Sequence, residues 1–293
     1  MKKILVIGGT RFLGLDYIKL INETHYELVV ASRKEIETAN FRLIDRKSQS
    51  DLNLLFSECQ YDVVVDFICY SSMDANILYN SLLLQNRMPK LILISTVYTY
   101  GHPLEINTKN TLNEEKFESA LEIKSLRDRP QVSYILGKQE MESFFSKRIS
   151  KEKLVILRFP IILGANDYTQ RTHFYVNLIK NRQRLNPTKI NNKTNYIFAY
   201  EAAIAILNFT ISNEYGTYNV AFESISEQDL IKYFCNYYEV PIDRLVDDTL
   251  MKVETPFTSC FDFIIDSTRY SSKFPFKTSF QSALFRELSK ITI

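Results

Sequence analysis

Lys2-Lys3-Ile4-Leu5-Val6-Ile7-Gly8-Gly9-Thr10-Arg11-Phe12-Leu13-Gly14 opens the chain, and its reading decides the fold. Ile4 to Ile7 is an uninterrupted apolar run, long enough for a parallel strand buried on both faces. Gly8 and Gly9 let the backbone turn sharply and come close to a ligand. Beyond them, Leu15, Ile18, Leu20 and Ile21 recur with helical spacing. A helix entered from such a turn presents free N–H groups and the positive end of its dipole, an arrangement that holds a pyrophosphate. The strand before and the helix after raise the glycine pattern above noise. Glycine is also scarce, 7 of 293 residues, so each one in a motif is informative.

Outward from this unit, apolar strands are expected at 3–7, 27–31, 41–44, 61–67, 90–95 and 153–159. They alternate with helices near 13–22, 50–57, 72–86 and 132–148. That alternation predicts an α/β fold, a doubly wound, mostly parallel sheet of the Rossmann type. The polar segment 105–130 breaks the rhythm and reads as an excursion over the sheet edge, with a short helix at 114–123. After residue 160 the pattern becomes irregular. Helices are expected at 173–181, 199–212, 226–238 and 279–290, and short strands at 195–198, 217–221 and 261–265. This suits a smaller mixed α/β C-terminal lobe that covers a substrate. The expected division is a dinucleotide-binding domain over 1–160 and a substrate lobe over 161–293, interleaved with the first.

Composition narrows the class. With 36 basic and 34 acidic residues the net charge is +2, which gives no electrostatic case for nucleic-acid or membrane binding as the main role. Cys59, Cys69, Cys235 and Cys260 share no close spacing, and His25, His102 and His173 lie far apart, so no metal site is expected. The opening Met-Lys-Lys is followed by only four apolar residues before the glycine turn, which does not read as a signal peptide. No apolar stretch approaches the roughly 20 residues a membrane helix needs, and the cytoplasm is the default location.

Three further patterns follow in chain order. Leu91-Ile92-Leu93-Ile94-Ser95-Thr96-Val97-Tyr98-Thr99-Tyr100-Gly101 is a strand ending in hydroxyl residues. Tyr134-Ile135-Leu136-Gly137-Lys138 lies on an expected helix. Leu157-Arg158-Phe159-Pro160-Ile161-Ile162-Leu163-Gly164 is a second strand end. Residues four apart share a helix face, so Lys138 can sit beside Tyr134 and favour its phenolate, pulling a normal pKa near 10 toward neutrality. A tyrosine tuned in this way exchanges the proton of a carbonyl/alcohol pair. Thr96 can hydrogen-bond the same oxygen.

Together with the glycine turn, these motifs resemble the short-chain dehydrogenase/reductase superfamily, most closely its extended and atypical NAD(P)-dependent epimerase/dehydratase branch. The likeness spans nearly the whole chain. It implies a catalytic set of Thr96, Tyr134 and Lys138, with Lys138 also reaching the nicotinamide ribose. It implies a cofactor site built from Gly8, Thr10, Arg11, Phe12, Leu13 and Gly14 in the turn, from Ser32 and Arg33 after the second strand, from Asp45 and Arg46 after the third, and from Phe67 and Pro160. A homodimer is also a family-level expectation.

Several residues refine the reading. Where an NAD-binding fold usually places Asp or Glu, this chain has Ser32-Arg33-Lys34. A ribose phosphate would find charge-assisted partners there, and Arg11, at a position where the family has Gly, can fold back toward the same phosphate. NADP is therefore preferred over NAD. Val97 and Tyr98 stand where the family's sugar-nucleotide 4,6-dehydratases carry Asp-Glu, which disfavours dehydration. The Asn that many sugar-nucleotide epimerases have after Leu-Arg is replaced within Pro160-Ile161-Ile162. Arg171 remains a candidate for an anionic group of the substrate. The reading is an oxidoreductase or epimerase acting on a hydroxyl or carbonyl group of a small substrate, most simply a nucleotide sugar. The Gly-Gly-Thr-Arg-Phe-Leu-Gly form also resembles a subgroup that includes chloroplast stem-loop RNA-binding proteins. A non-catalytic dinucleotide-sensing or RNA-binding protein on the same scaffold is thus the alternative.

Overall fold

The computed structural model describes residues 2–37, 40–101, 114, 130–258 and 261–291. Most of the expected excursion over 105–130, including the helix at 114–123, lies outside them. Among the described residues, seven parallel strands form the main sheet in the order β3-β2-β1-β4-β5-β6-β10. They are β1 (Lys3–Ile7), β2 (Glu27–Ser32), β3 (Phe41–Leu43), β4 (Val63–Asp66), β5 (Lys90–Thr96), β6 (Leu154–Phe159) and β10 (Gly216–Asn219). The order reverses between β1 and β4, and in such sheets ligands bind outside the carboxyl ends at that switch point.

Strand alternation divides the core into two layers. Ile4, Val6, Leu28 and Val30 face one side, where α1 (Leu13–Asn22) packs against α6 (Ala199–Ile211). Leu5, Ile7, Val29 and Ala31 face the other, covered by α2 (Gln49–Glu58), α3 (Ser72–Leu82) and α4 (Pro130–Ser146). Helices on both faces explain why β1 reads as a continuous apolar run rather than an alternating one.

The second half of the chain does not stand apart. Its strand β10 pairs with β6 from Gly216↔Val155 to Asn219↔Arg158, and α6 covers α1. Buried Lys90 at the start of β5 donates to the carbonyls of Phe209 and Ser212, tying off the end of α6. The smaller lobe has its own mixed sheet of β7 (Ile161–Leu163), β9 (Lys193–Phe198) and β11 (Ser224–Ser226), with β9 parallel to β7 and antiparallel to β11. Strand β8 (Asn186–Pro187) pairs with β12 (Lys252–Val253). Helices α5 (Arg171–Lys180), α7 (Glu227–Tyr237), α8 (Thr268–Ser271) and α9 (Phe280–Ser289) complete it. The strand expected at 261–265 is reduced to isolated bridge positions at Phe263, which pairs with Thr194, and at Ile265.

Candidate active site

The glycine turn has the geometry its sequence calls for. Gly8 and Gly9 both adopt positive φ, 77° and 70°. A Cβ on Gly14 would lie 2.3 Å from the Gly9 carbonyl oxygen, so only glycine lets α1 start so close to the turn. Helix α1 has no side-chain cap; the Gly14 and Leu15 N–H groups donate to the Arg11 and Phe12 carbonyls, and the positive end of the helix dipole faces the turn. Arg11 is exposed and is not among the positive-φ residues, so the loss of the family's glycine there costs no backbone strain. The unusual conformation falls on Phe12 instead, at φ 52°, ψ −131°. Its ring is held edge-on to Tyr168 at 6.4 Å.

Around this turn, Ser32 is buried and its hydroxyl closes a local loop, donating to the Lys34 carbonyl at 2.6 Å and accepting from the Lys34 N–H. Arg33 and Lys34 are exposed just beyond it, and Asp45 is exposed after β3. Arg46, expected beside the cofactor, is turned inward. Its guanidinium bonds Asp66 Oδ2 and the Asp74 carbonyl, each at 2.8 Å, and it braces the ends of β3 and β4. Asp66 also accepts from the Ile68 N–H at 2.8 Å, which accounts for an acid on a buried strand. Phe67 and Pro160 are buried at the carboxyl ends of β4 and β6. The residues present fit a dinucleotide, with an uncapped helix entry for the pyrophosphate and exposed cations beyond β2.

Helix α4 brings the catalytic candidates to the end of β5. Thr96 ends that strand and its Oγ1 accepts from the Tyr98 N–H at 3.3 Å. Neighbouring Ser95 points the other way and donates to Glu142, so Thr96 is the hydroxyl left at the strand end. Lys138 is 1% exposed, and its ammonium donates to the Ile94 carbonyl at 2.6 Å and the Cys69 carbonyl at 2.9 Å. One turn further along α4, Glu142 holds Arg158 of β6 through Nε and Nη2. Lys138 and Glu142 therefore fasten α4 to β5 and β6.

The electrostatics depart from the sequence-based expectation. Burial pulls the Lys138 ammonium down to about 8, against the charge-favouring Cys69, Asp66 and Glu142 and with Arg46 opposing it. Tyr134 is not lowered in the chain alone. Burial first, and then Tyr70, Tyr168 and Tyr98, hold its hydroxyl above the ordinary tyrosine value, with Arg171 acting in the other direction. Two causes are visible. The Lys138 ammonium is bonded to backbone carbonyls, and it lies 6.0 Å from the Tyr134 ring centroid.

Sequence reasoning missed Tyr70. Its ring centre is 4.6 Å from the Lys138 ammonium and 6.0 Å from the Tyr134 ring. Nothing in its sequence context marks it, because it sits in an irregular link between β4 and α3. Tyr98 and Tyr168 also reach the site, and burial pushes Tyr98 up to about 12 against the charge of Arg171. Arg171, the substrate candidate, begins α5, and its N–H is held by buried Asp167 at 3.1 Å. Glu142 was legible in principle, since it continues the i, i+4 spacing. Among the described residues no group of three or more His, Cys, Asp or Glu side chains could hold a metal ion, and no helix is long and apolar enough to cross a membrane.

The fold recurs among solved structures of low sequence identity. The UDP-N-acetylglucosamine 4-epimerase of Bacillus cereus aligns with a TM-score of 0.77 at 18% identity, covering 99% of each chain. The dTDP-glucose 4,6-dehydratase of Bacillus anthracis, in complex with NAD, gives 0.77 at 14% identity over 99% of this chain and 96% of that one. WbmH of Bordetella bronchiseptica, in complex with NAD+, gives 0.74 at 13% over 99% and 98%. No curated protein matches this sequence. Residues 4–221 match the model of the NAD dependent epimerase/dehydratase family, and the chain belongs to that family.

Proposed function

We propose that this chain is an NADP-preferring oxidoreductase or epimerase that acts on a hydroxyl or carbonyl group of a small substrate, a nucleotide sugar by the fold's relatives. The observation that supports this reading is that Lys138, with Tyr134 one turn before it on α4, bonds the Ile94 carbonyl two residues before Thr96 at the end of β5. When bound, the nicotinamide supplies the hydride donor or acceptor. Gly8, Gly9 and Gly14 bring the turn backbone and the start of α1 to the pyrophosphate, and Arg33, Lys34 and Arg11 supply cations for a ribose phosphate. Support for NADP over NAD rests on those exposed cations and on Ser32-Arg33-Lys34 standing at the end of β2 in place of an acidic residue. Lys138 has three N–H donors, two of them engaged by carbonyls, which leaves one for the cofactor ribose.

At the substrate, Tyr134 presents a protonated hydroxyl and acts as the proton donor toward a carbonyl oxygen. Thr96 Oγ1 accepts from the Tyr98 N–H, which leaves its own O–H to donate to the same oxygen. Arg171, whose charge acts on Tyr134 and Tyr98 from the small lobe, suits an anionic substituent of the substrate. Val97 and Tyr98, in the 3-10 turn after β5, supply no acid/base pair for water elimination, which favours epimerase or reductase chemistry. A panel of nucleotide sugars assayed with NADPH and NADH tests the proposal. Turnover that Tyr134→Phe abolishes while cofactor affinity persists is the expected result; full activity in that variant would overturn the mechanism. A steeply salt-dependent RNA complex without turnover would favour the RNA-binding alternative.

A further inference from the structure

We propose that Tyr70 is a positioning residue of this reaction centre, its ring roofing the Lys138 ammonium so that the charge is held in place beneath Tyr134. The inference deepens the proposed function and rests on it. Three independent contacts place Tyr70 there. Its ring centre lies 4.6 Å from the ammonium, a cation–π distance. The same ring meets Tyr134 at 6.0 Å with the planes tilted by 51°. On the backbone side, a Cβ on Gly137 would fall 2.1 Å from the Tyr70 carbonyl oxygen, so the residue before Lys138 is glycine where α4 presses on Tyr70.

The roof completes an enclosure with few other supports. Carbonyls of Cys69 and Ile94 take two ammonium protons from below. Asp66 at the end of β4, Glu142 on α4 and the Cys69 thiol favour the charge from three elements, and Arg46 after β3 opposes it. The Asp66 and Glu142 carboxylates are already paired to arginines, so they give Lys138 only part of their field. A ring face is the remaining way to favour an ammonium while excluding water. Tyr70 itself is 45% exposed, so the position tolerates substitution.

The test follows the titration of Lys138 in the full-length chain labelled with 13C-lysine. The Lys138 Cε resonance is identified by its loss in Lys138→Met. Because the ring face favours the charged form, Tyr70→Leu should move the midpoint down by about half a pH unit or more, and Tyr70→Phe should leave it in place. Tyr70→Met serves as a second aliphatic variant should the leucine chain fold poorly. An unchanged or raised midpoint in the aliphatic variants, or a Tyr70→Phe midpoint that falls with them, overturns the proposal. NADPH and NADH binding is measured on the same samples by calorimetry. Wild-type chain that binds neither cofactor would refute the enzymatic reading whatever Lys138 does, whereas intact binding with an unmoved midpoint would refute only the role of Tyr70.

Discussion

At the scale of single residues, the site turns on an amine buried with its proton. Lys138 titrates near 8 in the folded chain against about 10.5 when exposed. On the proposed function the ammonium orients the cofactor and Tyr134, so turnover in the reductive direction should decline as pH rises through about 8, which a pH profile of kcat/KM checks. The same depression has a stability consequence of definite sign. Between pH 8 and 10.5 the unfolded chain binds more protons at this residue than the folded one, so folding is favoured as pH rises through that window. Below about pH 8 the cost of burying the charge is fully present. The stability of wild type relative to Lys138→Met should therefore improve by about 2 kcal/mol between pH 7 and 10, read from urea melts at each pH. How far the sequence went is clearest here. Tyr134, Lys138 and Thr96 were legible because a four-residue spacing and a strand end fix where they lie. The state of Tyr134 was not, because it depends on Tyr70, Tyr98 and Tyr168, which come from separate loops. Arg46 likewise looked like a cofactor contact, since adjacency to Asp45 says nothing about which way a side chain turns.

At the scale of elements, α4 is held to the sheet by contacts that no local propensity describes. Glu142 links Ser95 of β5 and Arg158 of β6, and Arg158 also lies over the Tyr100 ring at 4.7 Å. Removing one partner of such a buried pair strands the other, so Glu142→Gln should cost about 3 kcal/mol in a denaturant melt. Gly137→Ala should cost about 3 kcal/mol or more, because the new methyl meets the Tyr70 carbonyl oxygen rather than a movable side chain. Regular elements were well foreseen. Strand β1 and helix α1 match their expected bounds, and α6 and α9 match within a residue. Periodicity decides such elements. The strand expected at 261–265 failed because a half-apolar stretch pairs only when a neighbour offers an edge, and β9 meets it in an isolated bridge at Phe263.

At the scale of the whole molecule, the large sheet is completed by β10 from the far half of the chain, and α1 is covered by α6. A fragment ending at residue 160 would leave the edge of β6 unpaired and the inner face of α1 uncovered. Expressed alone, it should aggregate or lack a cooperative melt, which circular dichroism and size-exclusion chromatography report. The proposed cofactor choice belongs to this scale too, since Arg33 and Lys34 would act through a site shared by several elements. Arg33→Ala should weaken NADPH binding about tenfold and leave NADH nearly unchanged, as measured by parallel titrations.

The strained Phe12 joins these scales. Its backbone is part of the turn proposed to receive the pyrophosphate, while its ring rests on Tyr168 and against Gly164, both in the loop that leads to Arg171. Whatever settles the turn also settles that loop, so the two ligands share one mechanical lever. On the proposed function any coupling through this contact would be reciprocal, each ligand changing the affinity of the other by the same factor, and replacing Phe12 by a small residue should remove it.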